Sequence, residues 1–108
     1  MMTFEEKLAQ FAELAVKVGT NIQQGQTLLI NTTVDTIEFT RLVVKEAYKA
    51  GAARVTVNYS DDVVARQLFE NASVEEFEKF PRWITEQRDE LIERGGALLW
   101  IDAADPDL

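Results

Sequence analysis

The stretch that decides the fold is residues 27–59, TLLINTTVDTIEFTRLVVKEAYKAGAARVTVNY. It opens with an apolar run, 27–31, which is typical of a strand buried on both faces of a sheet. It closes with an alternating run, 54–59, which is typical of a strand at or near a sheet edge. The amphipathic segment 36–50 lies between them and is stopped by Gly51. This order predicts a crossover unit with parallel strands, and therefore an α/β fold.

The middle segment of this unit carries its own start signal and two stripes. The pattern Asp35-Thr36-Ile37-Glu38 predicts a capping box. Apolar and charged side chains occupy separate stripes, as expected of a helix that lies on a sheet. The apolar stripe is Phe39, Val43, Ala47 and Ala50, and the charged stripe is Glu38, Arg41, Lys45 and Lys49.

Upstream, apolar residues recur at steps of four and three, which predicts a helix over 4–19. Thr3 and Glu6 form a capping-box pattern at its start, and Gly19 is placed to end or loosen it. The stripe predicted to face the core is Phe4, Leu8, Phe11, Ala15, Val18 and Ile22.

Downstream, the pattern predicts helices over 61–71 and 81–94, with a capped turn at 73–76 between them. The break falls at Phe80-Pro81, because proline removes a backbone donor. A third apolar run, 97–101, predicts a strand buried on both faces. The helical part is rich in aromatic residues, which either pack into the core or cover a neighbouring domain or subunit. These residues are Phe69, Phe77, Phe80 and Trp83.

The whole chain is therefore predicted to be one α/β domain, residues 1–108, with a three-layer Rossmann-like parallel sheet and helices on both faces. Its length allows one core but not two. Three strands are few for such a sheet, and no covering helix follows the last one. We therefore expect the sheet to be incomplete and the chain to be truncated from a larger protein.

Composition excludes several classes of function. The net charge of −8 argues against nucleic acids and membrane surfaces as partners. The sequence contains no Cys, which excludes disulfides and thiolate sites, and no His, which removes the commonest general base and zinc ligand. No apolar run is long enough to span a membrane and no secretory signal opens the chain, so the cytoplasm is the expected location.

Polar residues follow each predicted strand, where α/β proteins commonly bind ligands. They are Asn31, Thr32 and Thr33 after the first strand, Asn58, Ser60, Asp61 and Asp62 after the second, and Asp102 and Asp105 after the third. The first of these loops has no glycine, so it matches neither a dinucleotide fingerprint nor a P-loop. Thr33 and Asp35 are interpreted as helix-cap residues.

The acidic residues among them have two interpretations each. Asp61 and Asp62 can bind magnesium or cap a helix, but the acid that such a pocket needs after the first strand is replaced by Asn31. Asp102, Asp105 and Asp107 resemble a calcium loop but lack its central glycine and closing glutamate, so turn residues are the simpler interpretation. The sequence therefore assigns no catalytic, cofactor-binding or metal-ligating residue, and catalysis by these residues alone is not expected.

Several stretches, taken in order and spacing, resemble the amino terminus of the thermophilic-type metalloaminopeptidases, the aminopeptidase T, aminopeptidase S and PepS family. The stretches are 11–19 and 21–28, then Glu38-Phe39-Thr40-Arg41-Leu42, Ala47-Tyr48-Lys49-Ala50-Gly51-Ala52 and 101–108. The similarity spans essentially the whole chain. No single motif is diagnostic.

The resemblance implies that this chain is the non-catalytic amino-terminal domain of a larger enzyme, supplying scaffold and gating of the substrate cleft. The parent enzyme would release amino-terminal residues from peptides with two divalent metal ions, zinc, cobalt or manganese, held by ligands beyond Leu108. It would be a homodimer in which this domain contacts the catalytic domain. Two alternatives remain open: a free-standing Rossmann-like module that binds a small ligand at Asn31, Asn58 and Asp102, or an interaction module whose incomplete sheet pairs with another chain.

Overall fold

The computed structural model describes residues 2–79 and 81–102, in which a parallel three-stranded sheet carries the fold. The strands are β1 (Thr27–Thr33), β2 (Arg54–Ser60) and β3 (Ala97–Trp100). The helices are α1 (Phe4–Leu14), α2 (Ile37–Lys49), α3 (Asp62–Asn71), α4 (Val74–Glu78) and α5 (Arg82–Glu93). A π-helical turn, Ala15–Thr20, extends α1, and a 3₁₀ turn, Val34–Thr36, precedes α2. The predicted α/β fold is confirmed.

The strands lie in the order β2-β1-β3, so β1 is central and pairs in parallel with both neighbours. Leu28 lies opposite Val55 on one side and Ala97 on the other. Leu28, Leu29 and Ile30 are all buried, because helices lie on both faces of this strand. The predictions that the first strand is buried and that the second lies at a sheet edge are confirmed.

The main core lies between one face of the sheet and the helices α1 and α2. Leu28 and Ile30 project from β1 into this core and meet Val16, Val43 and Ala47. Burial of each large aliphatic side chain contributes about 1.5–3 kcal/mol to folding. The opposite face of the sheet is covered by α5 less completely. An open space of about 610 Å³ separates them, and Leu29, Thr56 and Leu91 are among the residues that line it.

The buried face of α1 differs from the predicted one. Phe4, Phe11 and Val18 are exposed, whereas Ala12 and Val16 are buried. The small side chain of Ala12 lets α1 approach α2 closely, an advantage that a pattern of large apolar residues does not reveal. The capping box at Thr3 and Glu6 is present as predicted.

The end of the first helix also differs from the prediction. Helical structure continues past Gly19 to Thr20 as a π-helical turn, and Asn21 ends it with a left-handed φ of 48°. The carbonyl of Val16 accepts bonds from the Asn21 amide and from the Thr20 hydroxyl, which holds the widened turn. Gly19 therefore loosens the helix without ending it.

The capping box predicted for α2 is absent. Thr36 is the N-cap residue, yet no side-chain cap bond forms there, and Asp35 lies exposed in the 3₁₀ turn. The hydroxyl of Thr36 instead donates to the carbonyl of Thr33 at 3.0 Å. At the other end of α2, Gly51 terminates the helix with a left-handed φ of +103°, as predicted. The backbone of Gly51 passes close to Gln24.

The third strand is not buried on both faces, contrary to the prediction. Ala97, Leu98 and Leu99 are partly buried, and the side chain of Trp100 is 66% exposed. The reason is position, since β3 lies at an edge of the sheet in the part of the chain that the structure describes.

The segment from α3 to the start of α5 stands away from the core. No residue of α3 or α4 is buried. Phe69 and Trp83 are 74% and 73% exposed, so core packing is the wrong interpretation for them. Phe69 instead stacks obliquely on Phe77, with ring centroids 5.1 Å apart. Phe80, the fourth aromatic residue of this group, lies outside the described residues.

Within residues 2–79 and 81–102, no helix is both long enough and apolar enough to cross a bilayer.

Candidate functional site at the carboxyl ends of the strands

The carboxyl ends of all three strands open onto a shallow depression of about 190 Å³. The chain passes from β1 to β2 on one side and then returns to β3 on the other, which makes this edge the topological switch point of the sheet. The depression is lined by Asn31, Thr32, Thr33, Asn58, Tyr59, Ser60, Trp100, Ile101 and Asp102. The structure therefore brings together most of the polar residues that the sequence placed after the strands.

The two asparagines are bound to each other and to a helix. Asn31 and Asn58 are paired in the register of β1 and β2, and Asn58 Nδ2 donates to Asn31 Oδ1 at 3.1 Å. Asn58 Nδ2 also lies 2.9 Å from Gln87 Oε1 on α5. This amide cluster ties α5 to the sheet, so much of its hydrogen-bonding capacity is used within the chain.

The threonines form a buried row of hydroxyls under the depression. Thr32 Oγ1 donates to the carbonyl of Ile101 at 2.8 Å and contacts Thr36 Oγ1, which lies 3.0 Å from Thr40 Oγ1. These contacts join β1, α2 and the residue that follows β3. Since each hydroxyl carries one proton, the row is committed to structure rather than to a ligand. Sequence reasoning missed Thr36 and Thr40 because it assigned them to a helix start and a helix interior.

Thr33 differs from its neighbours because its buried hydroxyl has no hydrogen-bond partner among the described residues. It was predicted to cap a helix, but no cap bond forms from its side chain. Ser60, at the end of β2, donates to the carbonyl of Thr32 at 3.2 Å. The hydroxyl of Thr33 is thus one polar group of this edge whose hydrogen-bonding capacity is not used by the described residues.

The acidic residues do not converge. Asp61 Oδ1 accepts a bond from the Val63 amide at 2.8 Å and caps α3, which confirms the cap interpretation for that residue. Asp62 lies exposed in the first turn of α3. Asp102 is exposed beside the depression, and Asp105 and Asp107 lie outside the described residues.

This donor set does not fit a dinuclear metal site. The lining of the depression offers amides, hydroxyls and one carboxylate, whereas paired divalent ions are held by clustered carboxylates and imidazoles. Within the described ranges, no three His, Cys, Asp or Glu side chains form a group able to hold a metal ion.

A pair of side chains with shifted pKa values lies elsewhere, on α1 and its π-helical extension. Lys17 Nζ donates to Glu13 Oε1 at 2.6 Å, and this hydrogen bond and the opposite charge lower the pKa of Glu13 and raise that of Lys17. Both side chains are well exposed to solvent, so the pair is a surface feature of the helix.

Comparison with known proteins places this architecture among metal-dependent peptidases. A family model described as thermophilic metalloprotease (M29) matches residues 4–108. Aminopeptidase AmpS of Bacillus subtilis is 44% identical over 108 residues, which are 100% of this chain and 26% of that protein. Aminopeptidase T of Thermus thermophilus is 34% identical over 106 residues, which are 98% of this chain and 26% of that protein.

A solved structure agrees with the sequence comparison. Wild-type AmpT from Thermus thermophilus superimposes with a TM-score of 0.86 at 33% identity, covering 97% of this chain and 26% of that one. The chain thus spans about a quarter of the length of the relatives that it matches.

Proposed function

This chain belongs to the thermophilic metalloprotease (M29) family, and from that premise we propose that it serves as the non-catalytic amino-terminal domain of a metal-dependent aminopeptidase. The observation that carries the proposal is the contrast between the extent of the family match and the residue types that the chain contains. The family match covers nearly the entire chain, yet the sequence holds no His and no Cys. The chemistry of the family then belongs to a part of the parent enzyme that this sequence does not include.

In the parent enzyme, two divalent ions, zinc, cobalt or manganese, would activate water and polarise the scissile carbonyl of a peptide. The residues that the structure describes do not fit those ions, so no step of the reaction is assigned to them. Their role is to provide a rigid sheet and to form part of the wall that admits peptide substrates. The committed hydrogen bonds of Asn31, Thr32 and Ser60 support a structural role for the strand ends.

The partners that follow from this proposal are the catalytic domain of the same protein, the peptide substrate and a second subunit of the parent. We place the enzyme in the cytoplasm, where the absence of Cys is unremarkable. The net charge of −8 supports the further expectation that neither nucleic acid nor a membrane surface is a partner.

The test is an activity assay on the purified 108-residue chain. With added cobalt, manganese or zinc and an aminoacyl p-nitroanilide as substrate, we expect no hydrolysis above the metal-only control. Aminopeptidase AmpS of Bacillus subtilis serves as the positive control, and circular dichroism shows that the chain is folded. Substrate hydrolysis that rises in proportion to the amount of pure chain would contradict the proposal.

A chimera tests whether this chain can serve as the amino-terminal domain of an active aminopeptidase. Residues 1–108 of this chain replace the matched segment of the Bacillus enzyme, and we expect a folded protein that retains metal-dependent activity. A chimera that folds but is inactive with every metal would count against a scaffold and gating role.

A second candidate function is the binding of a small polar ligand at the strand ends. The observation that favours it is the unpartnered hydroxyl of Thr33 beside a depression at the switch point. A thermal-shift panel of nucleotides and metabolites tests it, because a saturable shift on the chain alone requires a site within these residues.

A further inference from the structure

The helix α3 has an apolar face that is largely exposed in the described part of the chain, where Phe77 stacks on the last residue of that face, Phe69. Val64, Ala65, Leu68 and Phe69 follow the spacing of one helix face, and we call these four residues the α3 face. Val64 is 65% exposed, Leu68 54% and Phe69 74%. An amphipathic helix of a folded protein normally buries such a face, so its exposure indicates a missing contact.

The area of the chain supports the same conclusion. A folded monomer of this mass exposes about 6,100 Å², whereas this chain exposes 8350 Å². The excess is on the order of 2,000 Å², and a stable interface needs only about 800 Å² from each partner. The uncovered surface is therefore large enough to accommodate an interface of standard size.

The negative charge around the α3 face indicates what kind of partner can bind there. Residues 61–94 include ten acidic and five basic side chains, and the whole chain has a net charge of −8. A second copy would bring the same excess of negative charge to the contact, which disfavours self-association. The complementary partner presents an apolar surface bordered by Lys and Arg side chains.

We propose that the α3 face is the docking surface for the remainder of the M29 polypeptide, which meets it with an apolar patch rimmed by basic residues. This proposal rests on the proposed function, because it assumes a parent enzyme of the relatives' length. It adds the location of the contact and the chemistry of the partner. Phe69, which stacks on Phe77 at the end of this face, is its aromatic residue and the expected anchor of the contact.

The experiment compares one substitution in two settings. Phe69→Asp is introduced into the isolated chain and into the chimera with the Bacillus enzyme. In the isolated chain we expect the melting temperature to stay within about 1 °C, because the side chain is exposed there. In the chimera we expect a loss on the order of 5 °C, because a charge enters a buried apolar contact. Lys45→Gln is the matched control, since it also lowers the net charge by one but lies on the exposed stripe of α2.

Three outcomes would overturn the proposal. The first is a chimera that folds and is active but does not respond to Phe69→Asp, which leaves the proposed function intact. The second is an equal loss from Phe69→Asp and Lys45→Gln, because the effect would then be one of net charge. The third is sedimentation of the isolated chain as a dimer that Phe69→Asp dissociates, because the occupant would then be a second copy.

Two further results separate this proposal from the proposed function. A chimera that fails to fold before any substitution counts against both proposals, whereas peptidase activity of the isolated chain contradicts only the proposed function.

Discussion

At the scale of single residues, Gly96 is the position where the structure leaves no room for a side chain. Its amide donates to the carbonyl of Leu91 at 2.9 Å, which closes α5 and starts β3. A methyl group on Gly96 would collide with the side chain of Leu91 and lie 3.0 Å from the carbonyl oxygen of Thr27. Leu91, the one buried residue of α5, therefore occupies space that a side chain at position 96 would need.

We therefore expect Gly96→Ala to lower the free energy of unfolding of the 108-residue chain by about 1–3 kcal/mol, the range for an overpacked contact. Urea unfolding followed by circular dichroism measures it. Gly19→Ala is the control, since no atom lies within 4 Å of that methyl position and alanine favours a helix. Equal stability of Gly96→Ala and the original chain would contradict the close packing of α5 on the start of β3.

At the scale of elements, the sequence predicted every strand of the described part, and every helix except α4, within a few residues; the segment that forms α4 was predicted to be only a capped turn. The strands were found because their apolar runs are bounded by turn residues, and β1 and β2 behave as their patterns require. The predictions failed where a contact between distant elements decides the outcome. Ala12 is buried because α2 is near, and the hydroxyl of Thr36 turns to the row under β1 instead of capping its own helix.

The same limit applies to the candidate site. Its position at the strand ends follows from topology, so Asn31, Asn58 and Asp102 were identified from sequence. Their hydrogen bonds could not be predicted, because Asn58 also bonds to Gln87 on a distant helix, and no local sequence pattern marks Gln87.

The cap of α3 gives a prediction at this scale. Asp61 satisfies the Val63 amide, and its loss should destabilise the helix by about 1 kcal/mol. Because no residue of α3 is buried, we expect Asp61→Ala to increase hydrogen exchange in α3 while the amides of β1 stay protected. Asp62→Ala, which removes a neighbouring carboxylate that makes no cap bond, should have the smaller effect. Equal loss of protection in α3 and β1 would show that α3 is coupled to the core, contrary to the structure.

At the scale of the whole molecule, the chain is more extended than its length requires. Its Cα radius of gyration is 16.1 Å and its extents are 53 × 36 × 18 Å. A compact domain of this size has a radius of gyration of about 13 Å. The helices α3 and α4 contain no buried residue and lie outside the core that α1, α2 and the sheet enclose, an arrangement that extends the molecule.

Small-angle scattering of the isolated chain tests this shape. We expect a radius of gyration close to 16.1 Å, plus the contribution of hydration, in a dilute monomeric sample. A value near the compact limit of about 13 Å would mean that α3 and α4 fold back onto the sheet. The α3 face would then be covered by the chain itself.

The placement of β1 between its two neighbours also has a consequence for the order of folding. Contacts from β1 to β2 join residues 27 apart, as between Asn31 and Asn58, whereas contacts to the β3 side join residues 69 apart, as between Thr32 and Ile101. Closing the longer loop costs about 0.8 kcal/mol more in chain entropy. The crossover unit of β1, α2 and β2 is therefore the natural folding nucleus. Until β3 docks, one edge of β1, the most buried strand, has no neighbour, so the chain is most prone to aggregation between formation of this nucleus and the pairing of β3.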